Sequence, residues 1–394
     1  MTTGVKQSWE KYLWSKRFLA HGSSTNSKRP MYEDVEPAMV VRGKGCRVWD
    51  LDGNEYIDFR NACGPVSLGY CVPEIDQAIK AQLQNGISFG YPHPLEGEVA
   101  ELLVKHIPCA ERVRFLKTGG EAIAACVKIA RGATGREKIV NVGYNGWITA
   151  MTKSGVPEAI KRMHIGLPWG EKQPWLDLFA DEGDKIAACV IASNYVGIEK
   201  GKEFLPFVRE LTNKHGVLMI MDEIVTGFRF AFGGVHQYFG FSPDMAVFGK
   251  AIANGMPLSA YLGRADLIDM ASELFITSTF GGETLSLAAA KATILFFRER
   301  DVIGHIWRIG KMLQDGMNGL FARYGIEADM KGYPPALVFE FKDPERKDTF
   351  FKHCYSAGIS FFKWAEYVNY SHKDADIREV LEKAERVLQS IAAK

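Results

Sequence analysis

The stretch Val217-Leu-Met-Ile-Met-Asp-Glu-Ile-Val-Thr-Gly-Phe-Arg229 opens with five apolar residues and then delivers two carboxylates, Asp222 and Glu223. A short run that is apolar at every position reads as a strand buried on both faces, as in a largely parallel sheet. Ile186-Ala-Ala-Cys-Val-Ile-Ala192 and Met245-Ala-Val-Phe248 read the same way. Val113-Arg-Phe-Leu116 and Lys138-Ile-Val-Asn-Val142 add two further strands. Helical patterns lie between them. Residues 95–106 are amphipathic, and 121–131 carry an apolar stripe through Ala122, Ile123, Cys126, Val127 and Ala130. The periodicity predicts further helices over 204–214 and 285–298. This alternation of strands and helices predicts an α/β domain.

The pattern changes on either side of that domain. Cys46-Arg-Val-Trp-Asp-Leu-Asp-Gly-Asn-Glu-Tyr-Ile-Asp-Phe59 holds two alternating runs around Asp52-Gly53, a strong hairpin signal. At the other end, helices over 302–318 and 377–392 bracket a strand at Ala336-Leu-Val-Phe-Glu-Phe341. The expected division is an N-terminal segment, 1–60, that joins a smaller α+β domain, 296–394, with a large α/β domain over 61–295.

Composition narrows the function. Among 394 residues, Lys+Arg number 48 and Asp+Glu 47, a net charge of +1 without the basic excess of a nucleic-acid binder. No apolar run approaches the ~20 residues that span a bilayer. The N-terminus lacks the apolar core of a secretory signal. The seven cysteines are scattered, with no Cys-x-x-Cys pair, which suits reduced thiols in a cytoplasm and no metal site.

Three features fall at the carboxyl ends of predicted strands, where open α/β sheets bind ligands. Lys117-Thr-Gly-Gly-Glu-Ala122 joins a strand to a helix, so its glycines and helix N-terminus suit a phosphate, or simply a tight turn. It matches neither a dinucleotide fingerprint nor a P-loop. Asp222 ends a buried strand, where a carboxylate is costly unless paired with a cation; a helix cap or surface ion pair is the plainer alternative. Lys250 follows Met245-Ala-Val-Phe-Gly249 at another strand end. A lysine there can form a Schiff base, although most lysines are merely solvated. A phosphate cradle, a carboxylate for a pyridine nitrogen and a Schiff-base lysine, in this order along one domain, are the anchors of pyridoxal phosphate.

These residues and their spacing resemble the class III aminotransferases of fold type I, in the glutamate-1-semialdehyde aminomutase-like branch. The resemblance runs from about Val41 to the C-terminal helix. It is carried by Trp49-Asp-Leu-Asp-Gly-Asn-Glu-Tyr-Ile-Asp58, Thr118-Gly-Gly-Glu-Ala122, Thr134-Gly-Arg-Glu-Lys-Ile139, Tyr144-Asn-Gly-Trp147, Asp222-Glu-Ile-Val-Thr-Gly-Phe-Arg229, Gly249-Lys250 and Thr279-Phe-Gly-Gly282. It implies a large domain with a mainly parallel seven-stranded sheet flanked by helices, plus a smaller α+β domain. It implies pyridoxal 5'-phosphate as cofactor, held by Lys250 as an internal aldimine, with Asp222 on the pyridinium nitrogen. Thr118, Gly119 and Gly120 would bind phosphate, Tyr144 would cover one ring face and Val225 the other. Thr279 would reach the phosphate of a neighbouring subunit, which implies a homodimer.

The chain also departs from the family pattern. Gly120 stands where many relatives carry Ser or Thr, and Asn145 in place of the usual His. Val190-Ile-Ala-Ser-Asn-Tyr195 lacks their Glu-Pro pair, and Glu283-Thr284 replaces Asn-Pro. Lys28 and Arg29, in a turn-rich loop, and Trp147 are the substrate candidates; Trp169 is a further aromatic for the pocket. The resemblance implies amino transfer from a donor such as glutamate to a keto or aldehyde acceptor, with a keto-sugar or specialised metabolite as the candidate acceptor. Aminomutase, racemase and decarboxylase chemistry on the same scaffold are the alternatives.

Overall fold

The computed structural model describes residues 4–148 and 154–392 of the chain. It divides into two compact units, Met1–Val72 with Gly304–Lys394, and Pro73–Ile303. The divisions drawn from sequence, at 60/61 and 295/296, lie short of these. An isolated bridge between Gly45 and Tyr70 ties the segment after 60 to the first unit.

In the first unit, β1 (Val40–Lys44), β2 (Arg47–Asp50) and β3 (Glu55–Asp58) form an antiparallel meander. Val48 pairs with Tyr56 across the Asp52-Gly53 turn, where Gly53 adopts φ 85 as such a turn requires.

The second unit carries the large sheet. Its strands are β4 (Arg112–Leu116), β5 (Lys138–Val142), β6 (His164–Gly166), β7 (Ile186–Ala192), β8 (Leu218–Asp222), β9 (Met245–Phe248) and β10 (Ser259–Gly263). They lie in the order β4-β10-β9-β8-β7-β5-β6. Six strands are parallel to one another; β10 runs against both neighbours. Every residue of β8 and β9 is buried, as expected for strands covered on both faces. Helix Gly119–Thr134 packs Ile123, Cys126, Val127 and Ala130 onto this sheet, the same stripe that its periodicity announces. Because β4, β5, β8 and β9 share one direction, their carboxyl ends open along a single edge.

The chain then returns to the first unit. β11 (Ala328–Tyr333) and β12 (Ala336–Phe341) form a hairpin, and β13 (Ile359–Ser360) lies parallel to β3. Helices Pro344–Ser356 and Asp374–Ala392 complete it. Sequence periodicity misses β1, β6, β10, β11 and β13. These are short or mixed in polarity, and their pairing partners, not their own pattern, make them strands.

Candidate functional site

Four loops at the carboxyl edge of the large sheet bring most of the expected residues into one region. After β4, Thr118 caps helix Gly119–Thr134 in a capping box. The Thr118 and Lys117 backbone N–H groups and the Thr118 hydroxyl donate to Glu121 Oε2, while Thr118 Oγ1 accepts from the Glu121 N–H. The hydroxyl of Thr118 is thus occupied within the helix end. A phosphate there would rely on the first backbone N–H groups, at Gly119 and Gly120. A side chain at Gly119 would collide with Ile224 Cδ1. A Cβ at Gly146 would approach Gly120 Cα to 2.9 Å. Both glycines therefore keep a close backbone surface clear of side chains.

After β5, Gly143 (φ 70) and Gly146 (φ 86) turn the chain so that Tyr144 is exposed and Asn145 is buried. Trp147 is exposed as well. Trp169 serves packing: its Nε1–H donates to Gly197 O at 2.8 Å and its ring meets Phe204 edge-on.

β8 delivers Asp222 and Glu223, and the two carboxylates have different tasks. Glu223 is fully buried and accepts from Thr226 Oγ1, from the Val235 and His236 N–H groups at 2.8 and 2.9 Å, and faces His236 Nδ1 at 3.0 Å. It is spent on holding the following turn. Burial pushes His236 down, but hydrogen bonds with Cys109 and Glu223 outweigh it and raise the imidazole to about 10. Asp222 is buried with far fewer partners. Oδ1 accepts from the Ile224 N–H at 3.1 Å and Oδ2 from Asn145 Nδ2 at 3.4 Å. Burial raises its carboxyl from 3.8 to about 6, against the pull of these two donors and of the Lys250 charge. A carboxylate left this poorly compensated, with a lysine close by, fits a missing cation such as a pyridinium.

Lys250 follows β9 and is half-buried, with its backbone in the left-handed region at φ 45. Only Asn, Asp and Gly visit that region readily, so the strain marks a turn held for a purpose. Ile224 packs between Gly119 and Gly249. Val225 itself is half-buried. Ser193, just beyond β7, has a buried hydroxyl without a hydrogen-bond partner among the described residues. A glycine-lined cradle, an undercompensated carboxylate, a strained lysine and an orphaned hydroxyl on one sheet edge fit pyridoxal phosphate.

Thr279 is exposed in the loop before helix Thr284–Glu299, whose cap is Glu283 and not Thr279. Glu283 accepts from the Leu285 N–H at 2.6 Å, from Ser286 Oγ at 2.6 Å and from Lys117 Nζ at 3.0 Å. Lys28 and Arg29 belong to the first unit, where both are exposed. Arg29 lines a cavity of about 260 Å³ there with Arg60, Glu36, Phe362 and Trp364.

Fold and site together define a pyridoxal-phosphate-dependent transferase of fold type I. The family model for class III aminotransferases matches residues 30–164 and 172–388, and the chain belongs to that family. It is 32% identical to glutamate-1-semialdehyde 2,1-aminomutase from Persephonella marina, over 94% of this chain and 96% of that one. The enzyme of the same name from Rhodopirellula baltica is 31% identical, with 90% of each chain covered. Among solved structures, the pyridoxal phosphate form of the FumI protein of Sphingopyxis sp. MTA144 superposes with a TM-score of 0.92 at 25% identity, covering 98% of this chain and 96% of that one. A glutamate-1-semialdehyde aminomutase from Pseudomonas aeruginosa PAO1 superposes with a TM-score of 0.86 at 18% identity, over 98% and 95%, a likeness of fold alone. The seven-stranded, mostly parallel sheet expected from the resemblance is present. Among the described residues no helix is long and apolar enough to cross a membrane.

Proposed function

We propose that this chain is an aminomutase of the glutamate-1-semialdehyde type, moving an amino group between adjacent carbons of a small amino aldehyde. The observation that carries this reading is the end-to-end similarity, at 30–32% identity, to relatives bearing that name. It turns the sequence expectation around, since transfer between separate molecules was the first reading there and the aminomutase its alternative. Transfer from a donor such as glutamate to a keto or aldehyde acceptor stands as the second reading. Gly120, Asn145 and Glu283, which depart from the family pattern at the site itself, favour it.

Bound pyridoxal phosphate supplies an electron-accepting ring next to the amino-bearing carbon. In our reading Lys250 carries the cofactor on its ε-amine and, once displaced, moves a proton on the substrate carbon. Asp222 holds the ring nitrogen protonated. The Gly119 and Gly120 N–H groups, at the helix end that Thr118 caps, bind phosphate. Tyr144 covers one face of the ring, and Ile224, with Val225 beside it, the other. We assign the substrate carboxylate to Arg29 or Lys28, and a wall of the pocket to Trp147. A homodimer completes the site, with Thr279 of each copy reaching the other's phosphate. The exposed Phe89, Tyr91, Phe275 and Phe280 support a second copy as what covers this unit. None of the seven cysteines forms a disulfide, which supports a reducing, cytoplasmic compartment.

The test supplies glutamate-1-semialdehyde with no other amino donor. Conversion to 5-amino-4-oxopentanoate, with no keto acid consumed, is the expected result. Turnover only when L-glutamate and a separate acceptor are both present, with 2-oxoglutarate appearing in step, would replace this reading with the second one. Under either reading Lys250→Ala should lower turnover by on the order of 10²–10⁴ or more with the far-ultraviolet circular dichroism unchanged. Near-wild-type turnover would remove Lys250 from the mechanism.

A further inference from the structure

The polar chain behind Asp222 has a direction. Asn145 Nδ2 lies 3.4 Å from Asp222 Oδ2, Asn141 Nδ2 lies 3.2 Å from Asn145 Oδ1, and His164 Nδ1 lies 2.9 Å from Asn141 Oδ1. Asp222, Asn141 and Asn145 are buried, and His164 is half-buried on the edge strand β6. The chain therefore crosses the sheet from its rim to the site, through β5 and the turn that follows it.

An ionised carboxylate can only accept. Asn145 must turn its N–H toward Asp222, which leaves its carbonyl to accept from Asn141. The carbonyl of Asn141 then faces His164, which must donate from Nδ1. Burial and the nearby Arg131 charge push His164 below its ordinary range, so the ring carries a single N–H, and it sits at Nδ1. Reversing the chain means flipping two buried amides and changing the tautomer. The reversed chain would set a carbonyl oxygen against a buried carboxylate, an arrangement that neither group tolerates. A histidine beside Tyr144 could present a donor by moving a proton between its ring nitrogens, without turning its side chain. An amide there offers either a donor or an acceptor, and something must choose.

We infer that Asn141 and Asn145 are positioning residues for Asp222, oriented from the far end by His164 so that a donor always faces the carboxylate. This rests on the assignment of Asp222 to the cofactor's ring nitrogen. Neither amide touches the reacting atoms. Their effect is to keep Asp222 charged, and through it the ring protonated.

The test uses protein reconstituted with pyridoxal phosphate labelled with nitrogen-15 in the ring, with the ring resonance recorded at neutral pH. An aspartate at 141 can only accept, so Asn141→Asp draws the Asn145 N–H to itself and turns the Asn145 carbonyl on Asp222. The resonance should move toward that of the unprotonated ring. The kcat should fall roughly tenfold or more, about the worth of one hydrogen bond to a charged group, with the substrate KM little changed. Asn141→Leu, close in volume and without polarity, should give a smaller shift in the same direction, and it carries the test should Asn141→Asp not fold. Adding Asn145→His to Asn141→Asp should restore the wild-type resonance, because an imidazole between two carboxylates is held protonated and donates to both. A wild-type resonance in both Asn141 variants overturns the inference and leaves Asp222 in place. A wild-type protein whose ring nitrogen is unprotonated overturns the assignment of Asp222 and the inference with it.

Discussion

Asp222 stabilises or destabilises the fold according to what faces it. Without a cation, burial raises its carboxyl from 3.8 to about 6, so the folded state favours the neutral acid. A folded value above the unfolded one means that its contribution is full below about 3.8 and is lost as pH rises through about 6. The cofactor-free Asp222→Asn variant should therefore melt above the wild type at pH of about 7 and beyond, and the gap should close near pH of about 4. A gap that stays constant across that range would mean the carboxylate is not desolvated. In the loaded enzyme the proposed pyridinium partner would reverse the sign. There Asp222→Asn should keep its cofactor and lose on the order of 10²–10³ of turnover; wild-type turnover would strip Asp222 of its role. At this scale the sequence is readable where chemistry is scarce. A carboxylate and a lysine at the ends of buried strands announce themselves. That Ile224 and not Val225 packs against Gly119 does not, because β8 has ended and the strand alternation that would separate them no longer applies.

At the scale of elements, Glu283 shows how a departure from a family pattern is absorbed. Where the family pattern commonly has Asn-Pro, this chain caps helix Thr284–Glu299 with a glutamate that also pairs with Lys117. Burial pushes the Glu283 carboxyl up, yet the hydrogen bonds from Ser286 and Lys117 outweigh it and hold it below its ordinary value. Its stabilisation is present above that ordinary value and lost as pH falls through the lowered one. Glu283→Ala should destabilise the protein by about 1–2 kcal/mol at neutral pH, the range of a lost N-cap, and by less in acid. Thermal melts at the two pH values check this, and an equal loss at both would show that charge plays no part. Helices and buried strands longer than about four residues are largely legible because period and burial coincide there. β6 and β10 are not, since Ser259-Ala-Tyr-Leu-Gly263 becomes a strand only by pairing with β4 and β9.

At the scale of the molecule, the proposed dimer makes the sharpest claim. Thr279 is exposed within its own chain, and its proposed ligand belongs to the other copy. Thr279→Ala should raise the pyridoxal phosphate dissociation constant several-fold, as the loss of one hydrogen bond to a charged group does, without altering the helix cap. The protein should sediment as a dimer. A monomer with an intact cofactor affinity would remove Thr279 and the second copy from the site together.

The sequence alone determined the buried strands, the glycine turn before helix Gly119–Thr134, and the Asp222-Glu223 pair and Lys250 as the residues to propose as anchors. Each depends on a local property: an apolar run, a missing side chain, or a charge where charge is expensive. Tertiary structure alone decided which carboxylate of Asp222-Glu223 is free for chemistry, since Glu223 is consumed by partners twelve and thirteen residues along the chain. It also decided that Asn145 faces Asp222 and that Asn141 and His164 stand behind it. That chain joins residues from β5, β6 and β8, and hydrogen-bond direction across a sheet is a property of the packed array, which no window of sequence contains.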